Sequence, residues 1–113
     1  AKRFAQVEVR TQQGAFRKAV FLACGGRCVV SGCGIPEALE AAHLEGRSWR
    51  DGHNAASDGI LLRRDLHALY DTGLLSFAED MLVRLSPAVR DHYGAFEGVA
   101  LTARLPTGTQ ATP

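Results

Sequence analysis

The chain reads as an α+β domain, and three observations carry that reading. Phe16, Ala19, Val20 and Ala23 recur at helical spacing. Two short β-prone stretches, 39–44 and 60–62, are separated by a polar loop and lead straight into a second helical pattern. A pair of alternating strands with a short polar connection follows. At 113 residues, 46% of them hydrophobic, there is material for one core and hence one domain, 1–113.

Residues 1–10 alternate weakly through Phe4, Val7 and Val9, as a short strand or an extended arm would. Thr11 offers an N-cap oxygen to the first helix, which turns Arg17 and Lys18 outward and ends at Gly25-Gly26. Cys28-Val29-Val30 is β-prone but short, and Ser31 to Pro36 is turn chemistry. In the strand 39–44, alternation puts Glu40 and Ala42 on one face and Ala41 and His43 on the other. From Glu45 to Asp58 the composition shifts to Gly, Arg, Ser, Asp, Asn and His, a loop too long for a simple hairpin turn and of a length that is often functional. Ile60-Leu61-Leu62 closes a hairpin on the strand that ends at His43, and a helix runs from Arg63 to Tyr70 with Gly73 as its stop. Strands 74–77 and 81–85 are joined through Ala78-Glu79-Asp80, Pro87 opens a short helix to Tyr93, 99–105 is a last strand, and 106–113 is a flexible tail.

No apolar run approaches a membrane span and the start lacks a signal-peptide layout, while the opening Ala1-Lys2-Arg3 reads as a cut from a longer protein. Cys24, Cys28 and Cys33 are odd in number and contain no Cys-x-x-Cys, against both a disulfide framework and a closed zinc knuckle. Reduced thiols in a cytoplasmic protein are the expectation; a zinc site completed by His53 or His92 is the weaker alternative. The net charge of +1 does not argue for nucleic acid, but its distribution is uneven. Through Arg64 there are ten Lys/Arg against six Asp/Glu, and afterwards three against six, so a polyanion would approach the first half.

The chemistry is concentrated in the stretch from His43 to Asp71, most of it in that basic half. His67 and Asp71 lie at i, i+4 on one helix face, where they can share a metal ion or bond each other. His43 ends the preceding strand, and Arg47, Trp49, Arg50, Arg63 and Arg64 surround the set with cationic groups suited to phosphate. Tyr70 and Phe77 are expected in the core, with His53 and His92 on the surface.

The order strand with His43, long loop, short strand, helix with His67 and Asp71 resembles the HNH endonuclease family. His43 takes the first family position, Asp58 the middle one usually held by Asn, and His67 the third, nine residues after Asp58. Gln13-x-x-Phe16-Arg17, Cys28-Val29-Val30-Ser31-Gly32, Leu39-Glu40-Ala41-Ala42-His43 and Leu61-Leu62-Arg63-x-Asp65-Leu66-His67-x-Leu69-Tyr70-Asp71-x-Gly73-Leu74 look like the branch found in bacterial restriction enzymes. The resemblance covers about residues 10–105. It implies a ββα-metal (His-Me finger) core, with a preceding helix and a C-terminal β-hairpin, in a divalent-metal-dependent DNA endonuclease.

In that reading His43 is the general base, Asp58 fixes the loop and orients His43, and His67 and Asp71 bind the ion. Asn54 is a second candidate for the orienting role, although its distance from His67 in sequence is four residues longer than Asp58's. Ala42 stands where many family members have a ligand, so Glu40 is a further metal-ligand candidate or an electrostatic partner. Arg47, Arg50, Arg63 and Arg64 are the DNA-contacting candidates. Mg2+ is the first expectation for the ion, with Mn2+, Ni2+ or Zn2+ as alternatives. The implied partners are DNA, a covalently linked DNA-recognition domain and, for double-strand cutting, a second copy of the chain. The competing expectation is a decayed site, marked by Ala42 and Asp58, surviving as a DNA- or protein-binding module.

Overall fold

A computed structural model describes residues 14–102. Within it the first helix, α1, occupies 14–23 and buries Phe16 and Val20, which are four apart and so share a face. Left-handed backbone at Gly25 and Gly26 stops it, and the Gly26 N–H returns to the Phe21 carbonyl at 2.9 Å. Arg17 differs from expectation. Its side chain is half-buried because Nη2 donates to the Pro36 and Leu39 carbonyls at 3.0 and 3.1 Å, tying α1 to the start of the next strand.

Strands β1 (Leu39–His43) and β2 (Gly59–Arg63) pair antiparallel in a register running from Leu39↔Arg63 to His43↔Gly59. All residues of β2 before Arg63 are buried, since both its faces and its outer edge are covered. The edge is covered by Val29, whose N–H donates to the Leu61 carbonyl at 3.0 Å. The β-prone stretch 28–30 therefore docks as a buried turn rather than as a strand. In β1 the expected two-face alternation does not separate the polar residues: Leu39 and Ala42 are buried, while Glu40, Ala41 and His43 all reach one groove. A two-stranded ribbon twists strongly, and twist brings alternate positions round to one side.

Helix α2 (Arg64–Asp71) follows β2 without a linker, completing a β-β-α succession. Leu66 anchors it in the core, fully buried beside Leu39, Leu61, Leu62, Leu75 and Val83. Burial of each such side chain contributes about 1.5–3 kcal/mol relative to exposure. Gly73, at φ 77°, reverses the chain, and the Leu74 N–H caps the Leu69 carbonyl at 2.8 Å.

A second hairpin, β3 (Leu75–Phe77) with β4 (Val83–Leu85), turns Leu75, Phe77, Val83 and Leu85 inward. Tyr70 of α2 stacks on Phe77 at 5.1 Å. After a 3-10 turn, Pro87–Val89, comes the short helix α3 (Arg90–Tyr93). Of the strand expected at 99–105, the described residues hold a single bridge, Leu82↔Ala100; the left-handed Gly98 has its N–H on the Val83 carbonyl, so the chain meets β4 only locally. Residues 103–105, the expected arm 1–10, the Thr11 cap and the tail 106–113 lie outside the described residues. The outcome is an α+β fold of helices and two small sheets. Among the described residues no helix is long and apolar enough to cross a membrane.

Candidate active site

One open groove of about 570 Å³ lies across the β1–α2 junction. Glu40, Ala41 and His43 enter it from β1, His67 and Asp71 from α2, Arg47 and Ser48 from the loop, and Phe16 and Arg17 from α1. His67 is held at both ring nitrogens. Nδ1 is 2.7 Å from Glu40 Oε1, and Nε2 is 3.0 Å from Asp71 Oδ2 across one helical turn. Glu40 is in turn 3.4 Å from the exposed Arg64 Nε.

A neutral imidazole has one N–H, so it can donate to only one of these carboxylates. The other nitrogen then turns a lone pair toward an oxygen lone pair, which a proton or a cation between them relieves. At 3.0 Å, Nε2 and Oδ2 stand at ordinary hydrogen-bonding distance, and the same imidazole and carboxylate are the donor types that would hold a divalent cation. Glu40 faces the opposite nitrogen, where it fixes the ring and its tautomer rather than adding a third donor beside Asp71. Among the described residues no three His, Cys, Asp or Glu side chains form a metal-enclosing group. His67 and Asp71 thus offer a two-donor site, which suits an ion that keeps water and substrate phosphate as its other ligands.

His43 is set by different neighbours. The Phe16 ring stacks on it with centroids 4.0 Å apart and planes 7° from parallel. Its Nε2 lies 3.3 Å from Asn54 Oδ1. An amide oxygen only accepts, so the tautomer that makes this bond is the one with its proton on Nε2 and its lone pair on Nδ1.

Asp58, expected to orient His43, has its side chain elsewhere. Oδ1 accepts from Arg47 Nε at 3.0 Å and Oδ2 from the Ala55 N–H at 3.0 Å, while its carbonyl accepts from the Leu44 N–H at 2.9 Å. The loop fixed by Asp58 instead presents Asn54 to His43. The reason lies in the 3-10 turn Ala56–Asp58: Asp58 ends it and reaches back to the residue before it, which turns its carboxylate away from β1. His53 pins the same loop, accepting the Ser48 N–H on Nδ1 at 3.1 Å, and is half-buried rather than solvent-facing.

The four arginine candidates separate. Arg47 lines the groove, and Arg64 stands at its rim through Glu40. Arg63 lies outside the groove lining: it grips Asp65 in a fork of 2.7 and 2.9 Å and sits over the Phe96 ring at 5.4 Å. The fork raises the Arg63 guanidinium above its ordinary range and holds the Asp65 carboxyl below its own. Arg50 is exposed and lies outside the lining, its backbone N–H donating to Ser48 Oγ. The three cysteines are free thiols; burial pushes Cys24 up, and no cysteine takes part in a metal group among the described residues. His92 is exposed.

Phe16 is the site neighbour that sequence patterning assigns only to the core, because nothing in a helical period tells which ring it will meet. Asn54 was legible as a candidate but not as the partner actually chosen.

One groove thus holds His43 and, with it, a second histidine paired with carboxylates at both ring nitrogens. The family model described as HNH endonuclease matches residues 28–78. The matched stretch contains β1, β2, α2 and β3, with Glu40, His43, Asp58, His67 and Asp71, and leaves α1 outside. The match suggests nuclease activity. Among curated proteins none matches the chain.

Proposed function

We propose that this chain is the cleavage domain of a divalent-metal-dependent DNA endonuclease of the ββα-metal type. The observation that carries the reading is the two-histidine groove: His67 Nε2 faces Asp71 Oδ2 at 3.0 Å, and His43 lines the same groove with its Nε2 edge on Asn54. His43 takes the proton of the attacking water on Nδ1 as the oxygen closes on phosphorus, acting as the general base. Asn54 keeps the proton on Nε2 and so keeps the basic nitrogen toward the substrate. His67 and Asp71 would hold the ion, and Glu40 holds the His67 ring in place from Nδ1. When bound, the ion supplies polarisation of the scissile phosphate and stabilisation of the leaving 3′ oxygen. A positioned base contributes about 10²–10⁴-fold, so much of the acceleration rests on that charge stabilisation and on positioning.

Arg47 and Arg64 border the groove and meet the flanking phosphates, which makes DNA binding salt-sensitive. Recognition of sequence or modification belongs to a linked domain, as in restriction enzymes, and one groove hydrolyses one strand, so a double-strand break calls for two copies.

The test compares wild type, His67→Ala and Asp71→Asn for Mn2+ binding by electron paramagnetic resonance and for nicking of plasmid in Mg2+, Mn2+, Ni2+ or EDTA. Both variants are expected to bind Mn2+ at least tenfold more weakly and to lose cleavage. DNA binding by wild type without metal-dependent cleavage, on unmodified and methylated DNA alike, would replace this reading with that of a decayed binding module.

A further inference from the structure

We propose that Phe16 is a positioning residue for His43, and that Gly59 is side-chain-free to let the Phe16 ring lie where it does. The inference rests on the reading of His43 as the base. Aromatic pairs ordinarily settle at centroid separations of about 4.5–7 Å, offset or edge-on. Here the Phe16 and His43 centroids are 4.0 Å apart and the rings nearly parallel, at 7°. Phe16 is 3% exposed, so its ring is fixed by packing, and it covers one face of a half-buried histidine.

Gly59 is the cross-strand partner of His43. A Cβ built there would lie 2.4 Å from Phe16 Cζ, 2.9 Å from Phe16 Cε1 and 2.8 Å from the Ala42 carbonyl oxygen. The Phe16 ring, together with the Ala42 carbonyl oxygen, therefore fills the space of the absent side chain. Gly59 has ordinary extended backbone, so its requirement is this close approach and not its torsion angles.

The χ2 rotation of a histidine is broad and roughly two-fold. A ring clamped on one face by Phe16 and held at one edge by Asn54 loses that freedom, so Nδ1 points in a fixed direction. Helix α1, outside the family-matched stretch, thereby becomes part of the machinery that aims the base.

The experiment uses the complete chain and reads both chemistry and the stack. In wild type, the His43 Cε1–H proton resonance is expected upfield of that of the exposed His92 through the Phe16 ring current. Phe16→Leu, which keeps an apolar side chain of similar reach, is expected to remove that shift. The same variant is expected to lower kcat by about 10–100-fold while leaving the half-saturating DNA concentration within about twofold. Gly59→Ala approaches from the other side and is expected to lower kcat similarly by displacing the ring. An unshifted His43 resonance in wild type overturns the proposal without any variant having to fold. So does a wild-type kcat in Phe16→Leu or Gly59→Ala. Wild-type cleavage by His43→Ala would instead overturn the functional reading, whereas a His43-dependent nuclease indifferent to Phe16→Leu overturns this proposal alone.

Discussion

Removing the charge of Asp58 tests whether this residue serves the loop or the histidine. Its carboxylate has two partners, Arg47 Nε and the Ala55 N–H, each at 3.0 Å, and its side chain is 16% exposed against 28% for Arg47. The bond to Ala55 is the reach-back half of a capping box, worth about 1 kcal/mol. The ion pair is partly screened, so it adds about 0.5–1 kcal/mol, toward the upper end for surface pairs. Asp58→Ala should therefore cost about 1.5–2 kcal/mol. Asp58→Asn can accept from only one partner through its single oxygen and turns its NH2 toward the other donor, so it should cost about 1 kcal/mol. In urea denaturation this appears as a lower midpoint at unchanged slope. A double-mutant cycle with Arg47→Ala should return a coupling of about 0.5–1 kcal/mol. Equal stability of Asp58→Asn and wild type, with no coupling to Arg47, would refute the assignment and return Asp58 to a direct role on His43.

Three further outcomes follow from individual contacts. Glu40→Gln leaves His67 Nδ1 without its charged partner and should raise the metal concentration for half-maximal cleavage about 10–100-fold, an unchanged value counting against the orienting role. The Arg63 fork depresses the Asp65 pKa, so its stabilisation is complete above the unfolded carboxyl value of about 3.9 and disappears as pH falls through the lower folded value. Because Asp65 is 37% exposed, Asp65→Asn should cost only about 0.5–1 kcal/mol at pH 7, and thermal melts should show the gap closing toward pH 2; a gap that persisted there would contradict the ion-pair account. Gly73→Ala meets no atom within 4 Å but must hold φ at 77°, so it should cost about 1–2 kcal/mol by chemical denaturation, and a neutral result would mean the α2 end relaxes freely.

The order of elements was legible because each has a local cause. Ala41, His43 and the Ile60-Leu61-Leu62 run bracket a polar loop, Gly73 marks a stop, and Leu75, Phe77, Val83 and Leu85 alternate as a half-buried hairpin must. His67 and Asp71 were legible as a pair because a helix puts i and i+4 together whatever lies around it. Contacts across the fold were not legible. Whether Asp58 or Asn54 turns toward His43 depends on the 3-10 turn Ala56–Asp58, whose reach-back bond no spacing argument contains. Arg17 carries the charge of a surface residue, yet carbonyls 19 and 22 positions away draw it in. Arg63 belongs to a basic cluster in sequence, but Asp65 and Phe96 claim it in space.

The central claim is tested most directly by the full-length protein acting on supercoiled plasmid in Mg2+, comparing wild type with His43→Ala. The account predicts that wild type nicks or linearises the plasmid, that EDTA abolishes cleavage, and that His43→Ala slows it by about 10²-fold or more while still binding DNA. Cleavage by His43→Ala at the wild-type rate, or wild-type cleavage undiminished by EDTA, would contradict it.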